Sequence, residues 1–190
     1  MDEVLMAAYE VSAVVTVVDA VHIAKQLSYL PIAAEQIALA DLILLSKTDL
    51  APDGIAEIEA KIRAINPAAP IVATTMGVIP NAELFRERRF FAAPDIAADH
   101  DHADHDHLGG ISSIVLRTDT SIDIDRLYSW IGELQNSLGP NLLRYKGIIY
   151  SDEYPGKRAI LQGVHALYTV TPDREWKENE KRESVIVVIG

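Results

Sequence analysis

Leu42 to Asp49 reads Leu-Ile-Leu-Leu-Ser-Lys-Thr-Asp. Four large apolar residues in a row, closed by a polar turn, predict a strand covered on both faces, as in a parallel sheet. Upstream, Val11–Val18 (VSAVVTVV) is a second run of the same kind. Asp19 follows it, placed to cap a short helix beginning at Ala20. Pro31–Ala40 (PIAAEQIALA) has helical spacing with one apolar side. Downstream, Asp53 opens an amphipathic helix whose Ile55, Ile58, Ile62 and Ile65 recur at helical intervals. Asn66-Pro67 stops it, and Pro70–Ala73 supplies a third strand. Strand, helix, strand, helix, strand predicts a right-handed parallel α/β layer. Such layers bind ligands beyond the carboxyl ends of their strands, where Ser-Lys-Thr-Asp and the turn after Ala73 both fall.

The texture changes at Phe91–His107, which has no strand or helix period and is dominated by Asp and His. It is expected to be an exposed linker. Beyond Gly109-Gly110, Ile111–Arg117 alternates as a strand, and Ile124, Leu127, Ile131 and Leu134 form one helical face ended near Gly139-Pro140. Leu142–Tyr150, Lys157–Gly163, Ala166–Val170 and Val185–Ile189 are further strands. One helix on several largely antiparallel strands makes a small α+β domain. The expected fold class is therefore α/β, part of a parallel-sheet domain (residues 1–90), a linker (91–110) and an α+β domain (111–190). No internal repeat is visible. No βα unit precedes the first strand and the last strand runs into Gly190, so the chain is expected to be a fragment of a longer protein.

The chain has 190 residues, 49% of them hydrophobic, a mean hydropathy of +0.10, and 17 Lys and Arg against 28 Asp and Glu, a formal net charge of -11. There is ample apolar material for a core. The acidic balance argues against nucleic acid, whose binders need clustered positive charge to displace counterions, and favours metal cations. Without cysteine there is no disulfide, thiolate ligand or Cys nucleophile. No apolar run is long enough to span a bilayer and the start, MDEVLMAAYE, lacks the pattern of a signal peptide, so a cytoplasmic protein without a membrane partner is expected.

Two motifs carry chemistry. The first is Ser46-Lys47-Thr48-Asp49, which fits the [N/T/S]-K-x-D pattern that selects guanine. Asp49 would accept from the ring N1 and exocyclic amine of guanine, the Lys47 stem would lie along the base, and Ser46 would tie neighbouring loops together. A buried contact of this kind is worth on the order of 2–5 kcal/mol. The plainer alternative is an ordinary turn, with Lys47 solvated and Asp49 capping the next helix. The second motif is Asp99–His107, in which His100, His102, His105 and His107 alternate with carboxylates and account for four of the six histidines. Imidazoles suit zinc, cobalt, nickel and copper, and neighbouring acids raise the local cation concentration. The competing reading is a merely polar linker, for which Asp and Ser would suffice without histidine. Binding there should be weak and depend on pH near ~6.5. His22 and His165 are expected to be structural. No G-x-x-x-x-G-K-[ST] segment is present to hold nucleotide phosphates, and no catalytic acid–base pair is recognisable.

Together, VVTVVDA (Val14–Ala20), EQIALADLILLSKTDL (Glu35–Leu50), the His/Asp stretch, LLRYKGIIY (Leu142–Tyr150), AILQGVHALY (Ala159–Tyr168) and REWKENEKRESVIVVIG (Arg174–Gly190) resemble, in order, the CobW family of P-loop-type GTPases, in the class that also holds the hydrogenase and urease metal-insertion proteins. The resemblance implies a GTP-dependent metallochaperone for zinc, cobalt or related metals, with Mg²⁺ accompanying GTP in the full-length protein. Its Walker A loop, C-x-C-C motif and E-x-x-G segment would lie upstream of residue 1, so this piece would not itself hydrolyse GTP. It further implies a client metalloprotein, leaves room for a homo-oligomer, and makes Ser46, Lys47 and Asp49 guanine readers. Thr74–Gly77 stands where the last guanine-contacting loop would be, acting through backbone groups at Thr75 and Gly77. Asp19 matches the Asp of the family's VVDA strand end, and Arg144 and Lys146 an R-x-K-G pattern to which the sequence assigns no role. The alternative is a stand-alone, non-enzymatic metal-buffering or protein-interaction module.

Overall fold

The structure, a computed structural model, describes residues 13–79 and 110–190. In the first stretch β1 (Val15–Asp19), β2 (Leu42–Ser46) and β3 (Ile71–Thr74) form a parallel sheet in the order β1-β2-β3. Helices α1 (Ile23–Gln26), α2 (Pro31–Ala38) and α3 (Ile55–Ile65) lie between the strands in sequence. Pro31 at the first turn starts α2, where a missing N–H costs nothing. Ile37 of α2 and Ile58, Ile62 and Ile65 of α3 bury themselves against β2, whose Leu42–Leu45 is wholly buried. Asn66 closes α3. Its buried amide donates to the carbonyls of Ile37, Ala38 and Ala40 (2.8, 3.2 and 3.0 Å) and accepts from the N–H groups of Ala68 and Ala69 (3.1 and 3.0 Å). One side chain thereby satisfies the open end of α2 and the turn into β3.

Two expected helix starts are displaced. The helix after β1 begins at Ile23 rather than Ala20, because the chain first makes a turn in which Asp19 bonds Val21 N–H. The helix expected from Asp53 begins at Ile55, because Pro52, with its fixed φ, nucleates a 3₁₀ turn over Pro52–Gly54.

The second stretch is an antiparallel sheet in the order β4-β8-β5-β6-β7, from β4 (Ser113–Thr118), β5 (Arg144–Ile149), β6 (Lys157–Val164), β7 (Leu167–Glu175) and β8 (Ser184–Ile189). Helix α4 (Ile124–Leu138) covers one face. Asp123 caps it by accepting from Arg126 N–H at 2.9 Å, and Glu153 accepts from Ile124 N–H at 2.7 Å. Side chains of β8 alternate between two cores. Ile186 and Val188 pack with Ile124, Leu127 and Ile131 of α4, whereas Val187 and Ile189 join the core of the first sheet. All six β8 residues are buried, which explains a continuous apolar run in an antiparallel sheet.

The R-x-K-G pattern acquires a role at the contact between the two sheets. Arg144 and Lys146 are two apart on β5 and therefore share a face. Both donate to Asp41 Oδ1 at the start of β2. Arg144 also donates to Leu39 O at 2.5 Å, and Asp41 Oδ2 accepts from Val14 N–H at 2.8 Å. Asp41 and Arg144 are 1% and 2% exposed, so this is a fully buried ion pair. Burial and the adjacent Arg144 pull the Lys146 ammonium down to about 8, against the pull of Asp41 in the other direction. Gly147 lies so close to β8 that a Cβ would stand 2.6 Å from Val185 O, and Tyr145, on the face opposite Arg144 and Lys146, sets its ring over Gly163 on β6.

Asp41→Ala should cost about 3–5 kcal/mol, because it strands a buried guanidinium rather than merely deleting a contact. Urea unfolding followed by circular dichroism measures this. A loss under about 1 kcal/mol, the scale of an exposed pair, would show that the contact does not hold the sheets together.

Candidate functional site

The register of the first sheet sets Asp19, Ser46 and Thr74 side by side at the carboxyl ends of β1, β2 and β3. Lys47, Asp49, Thr75 and Gly77 follow directly on these exits. The β1 and β2 exits are tied together: Ser46 Oγ donates to Val18 O at 3.0 Å, and Ala20 N–H to Ser46 O at 2.9 Å.

Lys47 adopts left-handed backbone angles, φ 58° and ψ 34°, at a cost of about 1–2 kcal/mol for a residue with a Cβ. Its side chain crosses from β2 to β1, where Nζ donates to Asp19 Oδ2 at 2.7 Å. The same oxygen lies 3.1 Å from His22 Nδ1, and Oδ1 accepts from Val21 N–H at 2.9 Å. Asp19 is thus a junction of three contacts and does not cap α1, whose N-cap is His22. The Lys47 hydrogen bond, aided by those from His22 and Val21 and opposed by burial, holds the Asp19 carboxyl at about 2, below its ordinary 3.8.

Asp49 stands exposed on a 3₁₀ turn (Thr48–Leu50) and makes no hydrogen bond or ion pair among the described residues. It does not cap the next helix, which starts at Ile55 with Gly54 as its N-cap and no capping side chain. At the β3 exit Thr74 Oγ1 donates to Val78 O and Val78 N–H to Thr75 O, both at 3.0 Å. The two residues between, Met76 and Gly77, have φ of 52° and 72°, the paired positive values of a tight two-residue turn. Thr75 and Gly77 are exposed there. The site therefore offers an unpaired carboxylate, an apolar stem with an anchored ammonium, and a backbone turn. That set can read the polar edge of a planar heterocycle. His100, His102, His105 and His107 lie outside the described residues. Among the described residues no group of three or more His, Asp or Glu could hold a metal, and no helix is long and apolar enough to cross a membrane.

Sequence reasoning did not place Asp19 against Lys47, although both adjoin the ends of parallel strands. A register matched from two runs of similar length would have paired Asp19 with Ser46. The Asp41 contact had no local signal, since its partners lie more than a hundred residues away.

Comparison with known proteins gives consistent matches. Residues 1–73 match the CobW/HypB/UreG nucleotide-binding domain, and residues 111–190 the cobalamin synthesis protein CobW C-terminal domain. The chain is 35% identical over 190 residues to the zinc chaperone YjiA of Escherichia coli, covering 99% of this chain and 59% of that protein. It is 33% identical over 168 residues to the zinc chaperone CobW of Pseudomonas aeruginosa, covering 82% of this chain and 42% of that one. The crystal structure of Zn(II)-bound YjiA GTPase from Escherichia coli superposes with a TM-score of 0.82 at 34% identity, over 100% of this chain and 59% of that chain. The chain thus spans about three fifths or less of the length of these relatives.

The Asp19–Lys47 contact sets a pH dependence. The folded carboxyl sits at about 2, below 3.8, so the stabilisation it contributes is complete above the unfolded value and is lost as pH falls through about 2. A carboxyl-carbon NMR titration should show Asp19 titrating below the exposed aspartates. Coincident midpoints would show that the contact is not maintained in solution.

Proposed function

The chain belongs to the CobW/HypB/UreG family, and from that premise we propose that it is the guanine-reading portion and C-terminal domain of a cytoplasmic, GTP-dependent zinc chaperone. Residues 1–90 would be the end of the GTP-binding domain, 91–110 the metal-binding linker and 111–190 the C-terminal domain. The observation that carries this is the unpaired, exposed Asp49 carboxylate two residues beyond Lys47, at the carboxyl edge of a parallel sheet. Asp49 accepts from N1 and the exocyclic amine of guanine, Lys47 lies along the ring, Ser46 braces the strand exits, and the Thr75–Gly77 backbone closes the far side. The names of both relatives support zinc as the cargo, with cobalt the next candidate. In the full-length protein Mg²⁺ accompanies the phosphates, and GTP turnover is coupled to transfer of the ion to a client metalloprotein. With no phosphate-binding segment in its 190 residues, the chain alone binds guanine weakly and does not hydrolyse GTP.

Asp49→Asn in the full-length protein tests the base reading. An amide offers a donor where guanine presents its amine, and xanthine carries a carbonyl there. GDP affinity should fall by roughly a hundredfold and xanthosine diphosphate affinity should rise, as read by competition with a fluorescent nucleotide. Unchanged GDP binding would sink the assignment of Asp49.

Zinc titration of the chain, with and without His100→Ala, His102→Ala, His105→Ala and His107→Ala combined, tests the cargo site. The intact loop should bind additional zinc, and lose it as pH drops below ~6.5 and the imidazoles protonate. Equal zinc uptake by the two proteins would remove the loop from the metal path.

A further inference from the structure

The Asp19 carboxylate has no part in the base contacts just described, yet it is the most heavily engaged side chain at the carboxyl edge. Oδ2 holds Lys47 Nζ at 2.7 Å and faces His22 Nδ1 at 3.1 Å, while Oδ1 is fixed by Val21 N–H at 2.9 Å. An unanchored lysine at this place would sample many rotamers, because its ammonium is strongly hydrated and its four-carbon stem flexible. Anchored at Asp19, the stem is drawn from the exit of β2 to the exit of β1. The anchor is itself rigid, because Asp19 and Ser46 are register partners and Ser46 Oγ binds Val18 O at 3.0 Å. Lys47 makes this contact from a left-handed backbone. A non-glycine residue persists in that region only where its surroundings over-determine it.

We propose that Asp19 is a positioning residue for base selection: it fixes the Lys47 ammonium so that the methylene stem forms a preorganised apolar rail for a purine ring beside Asp49. The proposal rests on the guanine-reading assignment above and deepens it. Asp19 touches no nucleotide atom and acts through Lys47. Without the anchor the entropy of ordering the stem is paid on binding rather than on folding. The pair is partly exposed, Lys47 at 52% and Asp19 at 25% of side-chain surface, so its loss should leave the fold intact and fall on nucleotide affinity.

A double-mutant cycle in the full-length protein reads this directly. Asp19→Asn keeps size and the bond from Val21 but removes the charge, and Lys47→Met keeps an apolar stem but removes the ammonium. GDP affinity should drop by roughly tenfold in each. The double variant should be no worse than either single one, because both break the same tie, while thermal midpoints stay close to the parent. A structural role for Asp19 would lower the thermal midpoint and leave this coupling absent. GDP affinity unchanged in Asp19→Asn, or losses that add in the double variant, would overturn the proposal. Asp49→Asn run in parallel separates the two failures. If it abolishes GDP binding while Asp19→Asn does not, only the positioning role falls. If it leaves GDP binding intact, the guanine assignment falls and takes the positioning role with it.

Discussion

The contact on which the architecture depends is the buried carboxylate of Asp41. Removing a charge from water costs several kcal/mol even after relaxation, and only close, well-directed partners recover it. Asp41 finds them in Arg144 and Lys146, which come from the other sheet, and in Val14 N–H at the entrance to β1. Because the carboxylate cannot be left unpartnered in the interior, the two sheets are bound to a single relative placement. The apolar core they share, with Leu143, Val187 and Ile189 packed among the residues of α2, α3 and β2, supplies attraction but little orientation. Burial of hydrocarbon is non-directional, and a guanidinium that donates to both Asp41 Oδ1 and Leu39 O is not.

Much of this was legible in the sequence. Continuous apolar runs marked β2 and β8, isoleucines and leucines at helical spacing marked α3 and α4, and the alternation of element types marked a parallel sheet followed by an antiparallel one. What escaped were features whose cause lies elsewhere in the chain. Helix α3 starts two residues after Asp53 because Pro52 imposes a 3₁₀ turn first. Asp19 looked like a helix cap because its true partner, Lys47, is 28 positions away. Arg144 and Lys146 could not be distinguished from surface charges on a β-strand until Asp41 was found opposite them. For the candidate site, the polar turn at Ser46–Asp49 could be located from its position after a strand. Its geometry could not, since the left-handed conformation of Lys47 is set by neighbours rather than by its own preference.

Strand β2 connects these two features. At its entrance stands Asp41, gripped by the second sheet, and at its exit stand Ser46 and Lys47. The strand is wholly buried between them over Leu42–Leu45 and hydrogen-bonded on both sides to parallel neighbours. Packed interiors are stiff, so the position of the Ser46–Asp49 turn is referred, through five residues, to the same frame that seats the C-terminal sheet.

The double use of β8 bears on how the molecule is made. This strand is the wall between two cores and the central neighbour of both β4 and β5, yet the ribosome delivers it after every partner it has in these cores. Until it arrives, β4 lacks its partner among the described strands, and each core lacks one side. Closure of both cores therefore awaits contacts of long sequence separation, which form slowly. A single late strand thus completes two cores at once, so a change in β8 is felt on both of its sides.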